Sequence, residues 1–125
     1  MQKEVLQWWR QAERDLLSAE HSLSSGDFYI AAFLSQQAAE KALKALYLQE
    51  KKELFKTHNI SRLAKVFDIP YILLKKIAML EPVYQETRYP DVSAKIPADE
   101  FEQKDAQEFV NIAHEVLTWI QKKIK

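Results

Sequence analysis

The chain has 125 residues, no cysteine, and 18 Lys plus Arg against 18 Asp plus Glu, so its formal charge is zero. That excludes disulfides, zinc–thiolate and iron–sulfur sites and thiol catalysis. It also argues against a sequence-independent grip on nucleic acid, which needs excess positive charge to displace counterions.

One glycine and four prolines are too little turn chemistry for a sheet protein, so composition alone points to helix. The length suits one domain over residues 1–125, able to bury roughly two-thirds of its unfolded surface. No apolar run is long enough to span a bilayer. The opening Met1-Gln2-Lys3-Glu4 lacks the apolar core of a signal peptide. The expected setting is the cytoplasm, away from membranes.

Val5, Trp9, Ala12, Leu16, Ala19 and Leu23 recur at helical spacing and predict a first helix from about Lys3 to Ser25. Gly26 supplies its stop and Asp27 an N-cap for the next helix. That second helix, Phe28 to about Lys51, is apolar over most of its circumference, which places it in the middle of a bundle. One polar strip interrupts it: Gln37, Glu40, Lys41 and Lys44.

After a charged connection, Thr57 or Asn59 caps a short third helix, Ile60 to Phe67. Pro70 suits the first turn of a fourth, whose apolar face is Ile72, Leu73, Ile77, Leu80 and Tyr84, with Pro82 kinking or shortening it. An irregular stretch, Arg88 to Pro97, follows, and Asp99 caps a last helix running to about Lys123. The expectation is an all-α fold, a five-helix up-and-down bundle with three long and two shorter helices. Short connections make its neighbours antiparallel.

His21, His58 and His114 are far apart in sequence and form no metal-ligand spacing, so no metal and no cofactor is expected. One glycine rules out a Gly-rich phosphate loop, and no serine sits in a nucleophile elbow.

Four constellations remain, each with two readings. The Gln37, Glu40, Lys41, Lys44 strip is either the solvent-facing stripe of its helix, with Glu40 pairing Lys44, or the floor of a groove with two ammonium groups set for a phosphate. His58 is either a helix-start residue bonding local backbone or a side chain directed into a cleft. Arg88-Tyr89-Pro90-Asp91 is either a proline turn or a recognition loop. Trp8, Trp9, Phe28 and Tyr29 are either core or an interface.

Taken together, Ser35-Gln36-Gln37-Ala38-Ala39-Glu40-Lys41-Ala42-Leu43-Lys44-Ala45, then Thr57-His58-Asn59, then Tyr84 followed by Arg88-Tyr89-Pro90-Asp91, resemble the HEPN family, the "higher eukaryotes and prokaryotes nucleotide-binding" domain. The opening Trp9 and Glu13-Arg14-Asp15-Leu16 fit the same pattern. The resemblance implies a five-helix bundle, a homodimer, and a small prokaryotic protein encoded beside a minimal nucleotidyltransferase. Such pairs act as nucleotide-handling units or toxin–antitoxin modules. Many members are metal-independent ribonucleases that use an Arg-x(4–6)-His motif near the last long helix, where the dimer brings two copies together.

This chain departs from that motif. The eligible positions after Arg88 are Ser93, Ala94 and Lys95, and none is histidine; Arg62 fails likewise. Arg14 and His21 match only formally, on the polar face of the first helix. The reading is therefore a non-catalytic module that binds a nucleotide or a partner, with Gln37, Lys41, Lys44, His58, Arg88, Tyr89 and Asp91 as the binding set. The alternative is a ribonuclease toxin, and only there is RNA a ligand.

Overall fold

The computed structural model describes residues 1–91 and 95–125. Positions Ser93 and Ala94, counted above from Arg88, lie outside the described residues. Three helices are long: α1 (Lys3–Ser25), α2 (Phe28–Lys51) and α7 (Gln103–Gln121). Between α2 and α7 come α3 (Ile60–Ala64), α4 (Tyr71–Leu80) and two single turns, α5 (Val83–Glu86) and α6 (Pro97–Glu100). The all-helical bundle is as expected, with α3 and α4 as the shorter helices and the single turns added. Among the described residues no helix is long and apolar enough to cross a membrane.

The turn between α1 and α2 explains their pairing. Gly26 adopts φ 87°, in the left-handed region. Its N–H donates to the Leu23 carbonyl, and the Asp27 N–H donates to Ser22. These two bonds satisfy carbonyls orphaned at the end of α1 and reverse the chain within two residues. Asp27 is the N-cap of α2, but its side chain makes no capping bond; its carbonyl accepts from Ala31 instead.

Helix α2 is the centre of the bundle. Ala31, Ala32, Ala38, Ala39, Ala42 and Ala45 are all fully buried, and their lack of bulk lets α1 and α7 approach closely. Helices α2 and α7 run parallel. At one end Phe28 and Tyr29 pack with Phe101 and Phe109 around Ala32 and Val83. At the other, Gln49 donates to the Lys123 carbonyl at 3.2 Å. Helix α4 lies antiparallel to α7, with Lys76 paired to Glu115 at 3.1 Å and Met79 beside the earlier Glu108 turn. Up-and-down alternation therefore holds for α1, α2, α4 and α7, but not for all five helices once α3, between α2 and α4, is counted.

Several local expectations need correction. Ile72 is 71% exposed; the inward face of α4 is Leu73, Leu74, Ile77 and Leu80, because the apolar stripe is set one position later. Of the two readings of Pro82, kinking or shortening, the structure shows shortening: α4 stops at Leu80, so Tyr84 lies outside it. Pro82 ends the segment, and a separate turn, α5, starts at Val83. Asp99 does not cap the last long helix. Phe101 is extended (φ −110°, ψ 131°), breaking the helix after α6, and a Glu102–Asp105 capping box starts α7. The third helix stops at Ala64, with Asn59 as its N-cap accepting from the Arg62 N–H at 2.9 Å. Trp9 is buried, and Trp8, Phe28 and Tyr29 pack against the core as partly buried side chains.

Candidate functional site

The polar strip of α2 does not face solvent. Glu40 and Lys44 are 3% and 6% exposed, and Lys41 and Gln37 are half-buried. Burying charge on a central helix is costly unless each charge is paired, and here each is. Lys44 Nζ donates to Glu40 Oε2 at 3.0 Å, and Gln36 Nε2 donates to Glu40 Oε1 at 3.0 Å. Gln37 donates in turn to the Gln36 side-chain carbonyl at 2.7 Å. Lys41 crosses to α1 and pairs with buried Asp15, which also accepts from Gln11 at 2.8 Å. Lys44 lies 5.6 Å from the centre of the Trp8 ring, a second favourable contact for its charge.

His58 joins this network from the loop before α3. Its Nδ1 lies 3.1 and 3.3 Å from the two Glu40 oxygens. A carboxylate only accepts, so the ring carries its proton on Nδ1 and leaves Nε2 for another partner. The imidazole is more than half exposed and stacks on Tyr84, with centroids 4.4 Å apart and ring planes 17° from parallel.

Tyr84 is also the platform for Arg88, whose guanidinium lies 4.8 Å from its ring centre and 5.7 Å from that of Tyr89. The spacing of four between Tyr84 and Arg88 is that of one helical turn. Arg88 and Tyr89 are exposed, and among the described residues Arg88 makes no ion pair. The nearby Glu86 faces a different neighbour. Burial first, and Glu100 second, hold its carboxyl above the usual value.

A cleft of about 380 Å³ opens beside this column, lined by His58, Asn59, Glu81, Pro82, Tyr84 and Gln85. That volume falls within the range of small-molecule sites. Among the described residues no cluster of three or more His, Asp or Glu side chains is placed to hold a metal ion.

The structure thus brings His58, Arg88 and Tyr89 together through Tyr84, and it links His58 to Lys44 and Gln37 through Glu40 and Gln36. Lys41 belongs to a separate pair on the α1 side. Asp91 is exposed at the end of the loop. Arg14 and His21 are exposed on α1, and among the described residues no contact ties them to this cluster. Sequence reasoning assigned Tyr84 to the apolar face of the fourth helix and left Glu40 out of the binding set. The four-residue spacing from Tyr84 to Arg88 was a usable signal. Nothing local marked Glu40 as the hub, because its partner His58 is 18 residues away.

The molecule is of the all-helical bundle class, and its candidate site is a buried ionic hub beneath an exposed aromatic–cation column. The sequence profile of the HEPN domain matches residues 5–124, and the chain belongs to that family. It is similar to a protein of known crystal structure from Thermus thermophilus, with 32% identity and a TM-score of 0.92 over 98% of this chain and 100% of that one. It is also similar to an archaeal HEPN homologue, with 39% identity and a TM-score of 0.84 over the full length of both. A HEPN domain protein from Thermotoga maritima shares 26% identity, with a TM-score of 0.72 over 93% of this chain and 95% of that one. No curated protein matches the chain.

Proposed function

We propose that this chain is a non-catalytic HEPN module that binds a nucleotide in the His58–Tyr84–Arg88 cleft, as a homodimer acting with a minimal nucleotidyltransferase. One observation carries the nucleotide reading. Arg88 is a cation exposed on two aromatic rings, without a carboxylate partner among the described residues, and one of those rings, Tyr84, lines a cleft of about 380 Å³. An anion needs such an uncompensated charge, and a base needs an aromatic face. Lys41 and Lys44 are already neutralised by Asp15 and Glu40, so Arg88 carries the phosphate and Tyr89 or the His58 ring meets the base.

Calorimetric titration with ATP, GTP and their monophosphates tests this. Binding is expected in the micromolar-to-millimolar range, weakened about ten-fold or more by Arg88→Ala, with the unfolding temperature unchanged. No heat at millimolar ligand, from folded protein, would remove the nucleotide half of the reading. Cleavage of structured RNA, abolished by His58→Ala, would replace it with the ribonuclease alternative. Co-purification with a nucleotidyltransferase encoded beside this chain tests the partner half.

A further inference from the structure

Beside Trp8 lies a second pocket, of about 280 Å³, lined by Gln7, Trp8, Gln11 and Lys41. It shares no lining residue with the His58–Tyr84–Arg88 cleft. A buried carboxylate holds its polar side in place. Asp15, on α1, is 6% exposed. One of its oxygens accepts from Gln11 Nε2 and the other from Lys41 Nζ. A buried ion pair is a poor device for stability alone, yet this one fixes two polar groups of the pocket at once. Trp8 is half-buried, and Lys44, which does not line the pocket, lies 5.6 Å from its ring centre.

The chemistry left over defines the ligand. A carboxylate only accepts, so Gln11 turns its amide nitrogen to Asp15 and keeps its carbonyl as a free acceptor. Lys41 spends one N–H on Asp15 and has others to donate. Gln7, one helical turn before Gln11, has no hydrogen-bond partner among the described residues, and its amide can turn either way. Asp15 compensates the charge of Lys41, so the pocket favours neither an anion nor a cation. The indole supplies a flat wall. From the Asp15 end the order is Lys41, Gln11, Gln7: a donor, an acceptor, and a group that does either.

We infer that this pocket takes an uncharged planar base with a lactam edge, a ring carbonyl beside a ring N–H, stacked on Trp8. The carbonyl accepts from Lys41, the N–H donates to the Gln11 carbonyl, and the third group of the edge meets Gln7. Guanine and uracil present that edge. Adenine and cytosine can set a ring nitrogen against Lys41 and an amino group against Gln11, but their edge then ends and Gln7 gains no partner. Phosphate has no part in this site, which stands whether or not Arg88 binds a nucleotide.

Nucleosides carry a base and no phosphate, so they isolate the pocket. The full chain is titrated with guanosine, uridine, adenosine and cytidine, followed by calorimetry and by the indole N–H signals of its three tryptophans in nitrogen–proton spectra. Guanosine and uridine are expected to bind in the millimolar range or tighter and to shift the Trp8 signal. Adenosine and cytidine should bind about five-fold more weakly. Gln11→Ala leaves the Lys41–Asp15 pair in place and should weaken guanosine about five-fold. Trp8→Leu should weaken it about ten-fold or more, with unchanged circular dichroism. Lys41→Met/Asp15→Asn removes both charges together, so no buried charge is stranded, and it should abolish the preference for guanosine over adenosine. Absence of nucleoside binding, equal affinity for all four, or a preference kept in that double variant would overturn the inference. Shifts confined to the His58–Tyr84–Arg88 cleft, with Trp8 unmoved, would overturn it too, and would leave the nucleotide reading standing.

Discussion

Glu40 receives more contacts than any of its neighbours in the polar strip. Its two oxygens meet Lys44, Gln36 and His58, and it is almost completely enclosed. Removing its charge leaves the Lys44 ammonium buried beside Trp8 with no counter-ion, the situation in which breaking a buried pair costs most. Glu40→Gln should therefore lower stability by about 3 kcal/mol, read as a shift of the denaturant midpoint at constant slope. The cost should fall when the cation goes too. Glu40→Gln/Lys44→Met is expected to be more stable than Glu40→Gln alone, because no uncompensated charge remains. A double variant no better than the single one would mean that Lys44 reaches water and that the ion pair is not the reason Glu40 is held there. Arg88, the residue proposed to hold the phosphate, is the opposite case. It is exposed, so Arg88→Ala should change binding without changing stability.

At the scale of the helix, ends matter more than middles. Two helix ends place a residue in the left-handed region, Gly26 at φ 87° after α1 and Lys52 at φ 61° after α2. Lys52 closes α2 by donating its N–H to the Leu48 carbonyl at 3.0 Å, so the conformation has a purpose, but a side chain strains it. Lys52→Gly should raise stability by about 0.5–1 kcal/mol, after allowing for the greater freedom of glycine in the unfolded chain. Gly26→Ala should lower it by about 1 kcal/mol. A Cβ there meets nothing within 4 Å, so that cost is backbone conformation and not crowding. Thermal melts of the two variants moving in opposite directions by a few degrees would show this; a shared direction would not fit it. Glycine at 26 made the first end readable from sequence. Lys52 gave no such sign, although the helix boundary there was still found from periodicity. The starts of α4 and α7 were harder for the same reason. Pro70 signals a boundary but not which side of it is helical, and the Glu102–Asp105 box competes with Asp99 three residues before Glu102.

Across the whole molecule, the legible part was the middle. An alanine-rich helix apolar nearly all round has to be central, and α2 is. The parallel course of α2 and α7 was not legible, because it depends on how α3 to α6 return the chain across the bundle. Nor was the fate of the polar strip. Its spacing puts Gln37, Lys41 and Lys44 together, but whether they face water or a carboxylate is decided by Asp15 on α1 and by His58 beyond α2. What α2's alanines do is testable in one position. Ala42 is fully enclosed, in an interior as densely packed as an organic crystal. Ala42→Leu adds three carbons where no space exists, so helices must part or side chains leave their rotamers. The expected loss is about 1–3 kcal/mol or more. For a chain of this length that lowers the melting temperature by roughly 3–15 °C. The same change at solvent-facing Ala78 of α4 should shift it by about 1 °C or less, since an exposed substitution changes little. If both positions tolerate leucine equally, close approach of the helices around α2 is not what holds the bundle together.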